Sequence, residues 1–293
     1  KLTNLSRQPQ LVDRRVLLAS DSMAVVIKRD GRPARQHVPY ARYCWKPAPR
    51  VLEPESSLYE SLFVSAGLNG WDMAEPGQYS VQVALSLGGE DVVSNPLRVR
   101  VLPPRGYDEE HLAQDFFSDQ VGRVIAVDGS RFLTGGNDIL REVSGKLAGR
   151  RVALHAQIAL GKGLSRDSKQ LKEDPKEARK RLGVGVLRAQ PKEARDLLNG
   201  ALCERAGEAV ESLGHVDFKW YVDGFSRWLA EQGDPVLAAK AQAVLYKALA
   251  ARQVGGRKVL DSVLQSVQRE RDVYAGQGKG GPPRVGRSKR GRR

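Results

Sequence analysis

The hydrophobic period of this 293-residue chain changes once, and that change limits the fold more than any other feature. In GQYSVQVALSLGG, Tyr79, Val81, Val83, Leu85 and Leu87 alternate with Ser80, Gln82, Ala84 and Ser86. A period of two places the first set on one buried face of a strand. NPLRVRVLPP alternates again, with Leu97, Val99 and Val101 inward, Arg98 and Arg100 outward, and Pro103–Pro104 as a stop. Shorter β-like runs occur at RRVLLAS, MAVVIKRDG, YCWKPA and SLYESLFVS. Short strands about 8–12 residues apart predict an all-β sandwich over residues 1–104. KLTNLS reads as the second half of a strand, so the sandwich is expected to lack its first strand or strands, in a fragment or processed product.

After PPRGYDEE the period becomes helical, clearest in DPVLAAKAQAVLYKALAARQVGG. Asp234 suits the N-cap, Pro235 the first helical position, and Gly255–Gly256 the end. Leu237, Ala241, Val244, Leu245, Ala248 and Leu249 form one stripe, and Leu260, Val263, Leu264 and Val267 repeat the spacing. The two segments predict an antiparallel αα-hairpin. Earlier helices are expected at 109–126, 136–147, 150–162, 191–203 and 207–232, with a charged connector near 165–190 that holds a short helix. The expected fold is multidomain: an all-β sandwich (1–104), an all-α bundle of helical hairpins (105–276) and a disordered basic tail (277–293).

Charge is uneven along the chain. The tail carries Lys279, Arg284, Arg287, Lys289, Arg290, Arg292 and Arg293 without an acid, so it supplies half of the net +14. Residues 1–50 hold 11 basic and 3 acidic side chains, whereas residues 51–97 hold 7 acidic and no basic ones. If early and late strands share one sandwich, these charges compensate each other on its surface. Cys44 and Cys203 stand far apart and make neither a disulfide framework nor a zinc spacing. Both read as buried thiols.

EPGQYSVQVAL, followed by VVSNPLRVRV, resembles the last strands of bacterial immunoglobulin-like sandwiches. RVLEPESSLYESLFV is distantly similar to the intracellular proteinase inhibitor family, with Glu55 where that family carries Gly. The resemblance implies an immunoglobulin-like fold over residues 1–104 at most. It says little of inhibition, because sandwiches host unrelated functions. The helical half is similar in style to tetratricopeptide-like helix pairs, with Ala153, Ala156 and Ala159 at close-packing positions, although no 34-residue period is present.

Catalytic signatures are missing from the sequence: it holds no HExxH, GxSxG or CxxC. His155 shares a helix face with Val152, Ala156 and Ala159, which is a packing position. His37 falls in a polar loop, and His111 follows Glu109–Glu110. ALGKGLS lacks the Ser/Thr and the upstream Gly of a phosphate-binding loop, so its glycines read as a helix end. DGSRFLTGGND lacks the alternating oxygens of a calcium loop and reads as a helix–loop–helix junction capped near Asn137. No cofactor or metal is implied.

The densest signal is GHVDFKWYVDGFSRWLAEQG. Phe218, Tyr221, Phe225 and Trp228 fall on one helical stripe, which reads as core. Trp220 lies off the stripe, and with His215, Asp223 and Arg227 it is the expected contact surface for a partner protein. The leading expectation is a non-enzymatic interaction or scaffold module. One alternative is weak polyanion or nucleic-acid binding through the tail. The other is an accessory C-terminal region of a hydrolase whose catalytic domain precedes residue 1.

Overall fold

The computed structural model describes residues 1–18, 22–41, 46, 48–173, 182–251 and 257–278. Eleven strands of these residues precede the first helix: β1 (Leu2–Thr3), β2 (Gln10–Asp13), β3 (Met23–Arg29), β4 (Arg35–His37), β5 (Pro49–Leu52), β6 (Ser57–Leu58), β7 (Ala66–Gly67), β8 (Gly70–Trp71), β9 (Gly77–Leu87), β10 (Glu90–Val93) and β11 (Leu97–Val101). The helical part follows with α1 (Tyr107–Phe116), α2 (Asp119–Ala126), α3 (Thr134–Lys146) and α4 (Arg151–Leu164). A hairpin of β12 (Ser168–Glu173) and β13 (Leu182–Leu187) leads to α5 (Pro191–Asn199) and a π-helical turn, Gly200–Glu204. The last helices are α6 (Ala206–Glu231), α7 (Pro235–Ala250) and α8 (Arg257–Gln277). The chain is thus strand-rich first and helical afterwards.

Two compact units divide between Leu197 and Leu198, inside α5. The expected division at residue 104 marks the change of secondary structure, whereas α1–α4 belong to the same unit as the strands.

Strand β9 is the spine of the first unit. It pairs antiparallel with β3 on one side, and on the other with β10 along its second half and β11 along its first. Ser94 spans the break between β10 and β11: its N–H donates to the Val83 carbonyl at 2.8 Å, and its Oγ accepts from the Val83 N–H at 2.9 Å. The alternation expected along β9 holds, with Tyr79, Val81 and Leu85 buried. They pair with Arg29, Ile27 and Met23 across β3, so one face of the sheet supplies the apolar core. Leu97 departs from the expected inward set and is 63% exposed, because it opens β11 at the outer edge of the sheet.

Two other expected strands are shorter or absent. RRVLLAS makes a turn over Arg14–Leu17, where Asp13 Oδ1 accepts from the Arg15 N–H at 2.8 Å. A short carboxylate that bonds its own backbone two residues on competes with strand pairing. SLYESLFVS contributes only Ser57–Leu58 to a strand, although Leu62 and Val64 still pack on the core. Most of YCWKPA, with Cys44, lies outside the described residues.

The helix expected over 109–126 is two helices. Ser118 breaks it: its side chain caps α2 through the Val121 N–H, at β-region φ/ψ of −70° and 155°. The α2 helix packs on β7 and β8, with Trp71 Nε1 donating to the Ser118 carbonyl at 2.9 Å. Helix α4 carries Gly161-Lys162-Gly163 in its last turn and ends at Leu164, close to the expected end. Those residues sit beside the loop after α2, where a Cβ on Gly129 would come within 2.4 Å of the Ala159 carbonyl. Asn137 is not a cap but lies inside α3, and its amide holds the same loop by donating to the Ser130 carbonyl at 2.7 Å.

Within the expected connector near 165–190, β12 and β13 pair antiparallel, with Leu171 opposite Val184 and Lys169 opposite Val186. Its charged middle, 174–181, lies outside the described residues, so the short helix expected in the connector is not scored there. Alternating LGVGVL carries the strand signal. Asp167 closes its base, with Oδ1 accepting from the Ala189 N–H at 2.8 Å and Oδ2 from Arg188 at 2.7 Å.

In the second unit, α7 packs against both α6 and α8. Asp234 caps α7 as expected, accepting from the Leu237 N–H at 3.0 Å, with Pro235 in the first turn. Val236 at the start of α7 lies against Gly278, just past the end of α8, so these helices are antiparallel. Helix α6 kinks at Gly214 (φ 74°, ψ 168°), a conformation only glycine adopts without strain. Phe218, Val222, Leu229, Leu245 and Val267 are wholly buried and form the apolar interior. The expected helix end at Gly255–Gly256 lies outside the described residues.

Candidate functional site

The residues expected to bind a partner are only partly brought together. On α6, Asp223 pairs with Lys219 one turn earlier and accepts from the Gln242 amide of α7 at 3.1 Å. Arg227, one turn later, faces the Glu270 and Tyr274 region of α8, as does Asp223. Burial, then the Asp223 charge, holds the Glu270 carboxyl above its usual range. Burial also pushes the Tyr274 hydroxyl up. Asp223 therefore serves as a helix-to-helix tie between α6 and α7. His215 directly follows the Gly214 kink, eight residues before Asp223 on the same helix. Trp220 is 55% exposed and stacks edge-on to Tyr221 at 5.0 Å.

The aromatic stripe is mostly interior. Phe218 and Phe225 are buried, Tyr221 and Trp228 half-buried, and Phe225 stacks on Trp228 with centroids 6.1 Å apart. Nearby, Cys203 is a half-buried thiol whose pKa is pushed up to about 11, first by burial and then by Glu204. That protonated state makes it a poor nucleophile. The basic residues Lys279, Arg284, Arg287, Lys289, Arg290, Arg292 and Arg293 lie outside the described residues.

A different cluster stands out in the first unit. The β3–β4 hairpin turns at Asp30-Gly31, where Gly31 has φ 74° and the Arg32 N–H closes on the Arg29 carbonyl at 3.0 Å. This turn sets Arg29, Arg32 and Arg35 around a cavity of about 380 Å³. Ile27, Pro33, Trp71 and Ala74 add apolar wall, and Asp72 and Glu75 are its acids. Arg29 is held in place by Glu75 and by the Pro76 carbonyl, the latter at 2.9 Å.

Asp72 is the unusual member. Its side chain is 1% exposed, and Oδ2 bonds His37 Nδ1 at 2.8 Å in an equally buried contact. Its other oxygen, Oδ1, has no hydrogen-bond partner among the described residues, and the nearest cation, Arg35 Nη2, stands 3.8 Å away. A buried carboxylate oxygen without a donor is costly in free energy, and such groups are rare in folded proteins. Asp72 is among the residues around the cavity, while Oδ1 itself is sealed from solvent.

His37 is thus a buried strand residue of β4, not part of a polar loop. Sequence reasoning missed this site because its members lie on two segments far apart in the chain, 27–37 and 71–79. The available signal was the spacing of arginines in RDGRPARQH, set against the acid-only stretch that holds Asp72 and Glu75. The expected charge compensation does occur in Arg29–Glu75 and Arg35–Asp72. Among the described residues Arg32 has no carboxylate partner, so the cavity keeps a surplus of positive charge.

Tyr40 also joins strands to helices, donating to Asp119 Oδ1 at 3.1 Å. Burial and the Asp119 bond push its pKa up to about 12.

Among the described residues no helix is long and apolar enough to cross a membrane. No protein family matches this chain. No curated protein matches it, and no solved structure does.

Proposed function

We propose that this protein is a non-enzymatic interaction module that holds an acidic group of a partner protein in the arginine-lined cavity of its first unit. One observation carries the reading: Arg29, Arg32 and Arg35 surround one cavity and outnumber Asp72 and Glu75, the acids around it. Arginine clusters recognise carboxylates through paired N–H donors, and a cavity fixes the orientation of what enters. The side chains present are those of a recognition site.

We read the strand-rich region as an immunoglobulin-like sandwich. In support, β1–β6 and β2–β5 pair outside the main sheet. Val16, Leu52 and Leu58 from that side pack with Leu85 of the spine strand. We read α6–α8 as helical hairpins of the kind that stack into scaffolds.

Selection from a random peptide library on the full chain tests the function. Acidic peptides should be enriched, and Arg32→Gln, a surface change, should lose them. Identical selection by wild type and Arg32→Gln would sink the reading. Deleting residues 279–293 separates the alternative: a polyanion binder working through its tail loses salt-sensitive duplex binding while the peptide selection persists.

A further inference from the structure

We infer that β13 is a docking edge for a second copy of this chain. The two copies of β13 pair antiparallel, and two β12–β13 ribbons become one four-stranded sheet. Among the described residues neither strand of the ribbon pairs with any other strand. Lys169, Gln170 and Leu171 of β12 are exposed, as are Val184, Val186 and Leu187 of β13. Leu171 is 67% and Val184 61% open to solvent, so the apolar side of the ribbon is not covered. A two-stranded ribbon of this kind is marginal in water, and three or more strands are needed for independent stability.

The two outer edges of the ribbon differ. Strand β12, SKQLKE, has three charged residues among its six. Strand β13, LGVGVL, has no charged residue and no proline. Charges and proline are what keep an exposed edge from pairing with another chain. Only β13 lacks both, and the N–H and C=O groups along its outer side are what an added strand would bond.

The pattern of β13 fits a copy of itself. A two-fold axis normal to the sheet must pass through a residue, because only then do opposed side chains share a face. Val184-Gly185-Val186 reads the same in both directions. An axis at Gly185 opposes Val184 of one copy to Val186 of the other and sets the two bare glycines together. The pairs Leu171–Val184 and Lys169–Val186 within one chain then extend into two identical rows across the sheet. Each row runs Leu171, Val184, then Val186 and Lys169 of the second copy. Three apolar side chains lie side by side, and the lysine stem covers the end of the row while its ammonium stays in water. The contact is isologous and closes at two copies, whereas β13 against β12 would be open-ended. One short strand from each copy makes a small interface, so the dimer should dissociate on dilution.

Sedimentation velocity of the full chain, from about 1 μM to about 300 μM, should show a monomer–dimer equilibrium of the weak class. Val186→Lys, a change at an exposed position, should weaken the dimer about tenfold or more. Gln170→Lys on β12, away from the seam, should leave it unchanged, with circular dichroism and the urea midpoint confirming that both variants fold. Register is read by single cysteines in a Cys44→Ser, Cys203→Ser chain. Self-cross-linking on oxidation should peak at Gly185→Cys, where directly opposed Cα atoms come within disulfide reach. Val184→Cys should cross-link to Val186→Cys better than either does to itself. Monomer at every concentration would overturn the inference, as would a dimer indifferent to Val186→Lys or a cross-linking maximum elsewhere. A monomer that selects extended apolar peptides, and loses them with Val186→Lys, would assign the edge to another protein and equally overturn it. Arg32→Gln should leave the dimer intact, so this inference and the acidic-partner reading fail separately.

Discussion

His37 Nδ1 and Asp72 Oδ2 meet at 2.8 Å with both side chains almost fully removed from solvent. The bond ties β4 to the segment after β8, which Asp72 also anchors through its N–H to the Ser65 carbonyl at 2.8 Å. Removing one partner strands the other. Asp72→Ala should therefore lower stability by about 1–3 kcal/mol, the cost of an unsatisfied buried polar group. A urea midpoint unchanged from wild type would show that His37 finds another partner.

Adjacent aromatic residues on α6 should respond oppositely to truncation. Phe218 is fully buried, so Phe218→Ala should cost about 3–5 kcal/mol. Trp220→Ala, at a 55% exposed position, should change stability by no more than about 0.5 kcal/mol. Chemical denaturation of the two variants checks the assignment of faces, and similar losses would contradict it.

Burial, and secondarily Asp223, hold the Glu270 carboxyl above its usual range. The folded chain thus binds this proton more tightly than the unfolded chain. The associated stability is complete below the unfolded value and is lost as pH rises through the folded one. At neutral pH the ionised carboxylate detracts from stability. Glu270→Gln should raise the Tm at pH 7, and the gain should fade as pH drops below the ordinary Glu range of about 4.3. A gain of equal size at both pH values would point to packing instead of charge.

Two glycine-to-alanine changes should differ in sign. Gly129 has φ 97°, and a Cβ there would meet the Ala159 carbonyl at 2.4 Å and the Gly163 nitrogen at 2.6 Å. Gly129→Ala should be destabilising by more than about 1 kcal/mol. Gly224 lies on an exposed face of α6 with nothing within 4 Å of a new Cβ. Gly224→Ala should stabilise by about 0.5–1 kcal/mol through helix propensity. Thermal melts of both variants read the contrast directly.

Periodicity was legible in the sequence wherever one chain segment alone determines it. The β9 alternation and the Asp234–Pro235 start of α7 both appear in the structure as read. Helix existence was also legible, but the breaks at Ser118 and Gly214 were not. A serine and a glycine within a long helical pattern are tolerated more often than they interrupt it. The hairpin at 168–187 was hidden because a charged, glycine-containing stretch has the composition of a connector, and its strands are defined by their pairing. The cavity was the least legible feature. Asp72 and His37 stand 35 residues apart, and nothing local to either one signals that both are buried.

The contact of Trp71 with Ser118, with Phe116 at 5.5 Å and Phe117 at 5.1 Å, has a practical consequence for anyone dividing this chain. The visible seam in the sequence, the diproline after β11, is not a seam in the packing. Cutting there would bare the indole and the surface around Ala66, leaving a β-rich piece with a sticky wound. Grafts, truncations and limited-proteolysis maps should keep residues 1–164 together, because the strands borrow part of their interior from helices encoded after them.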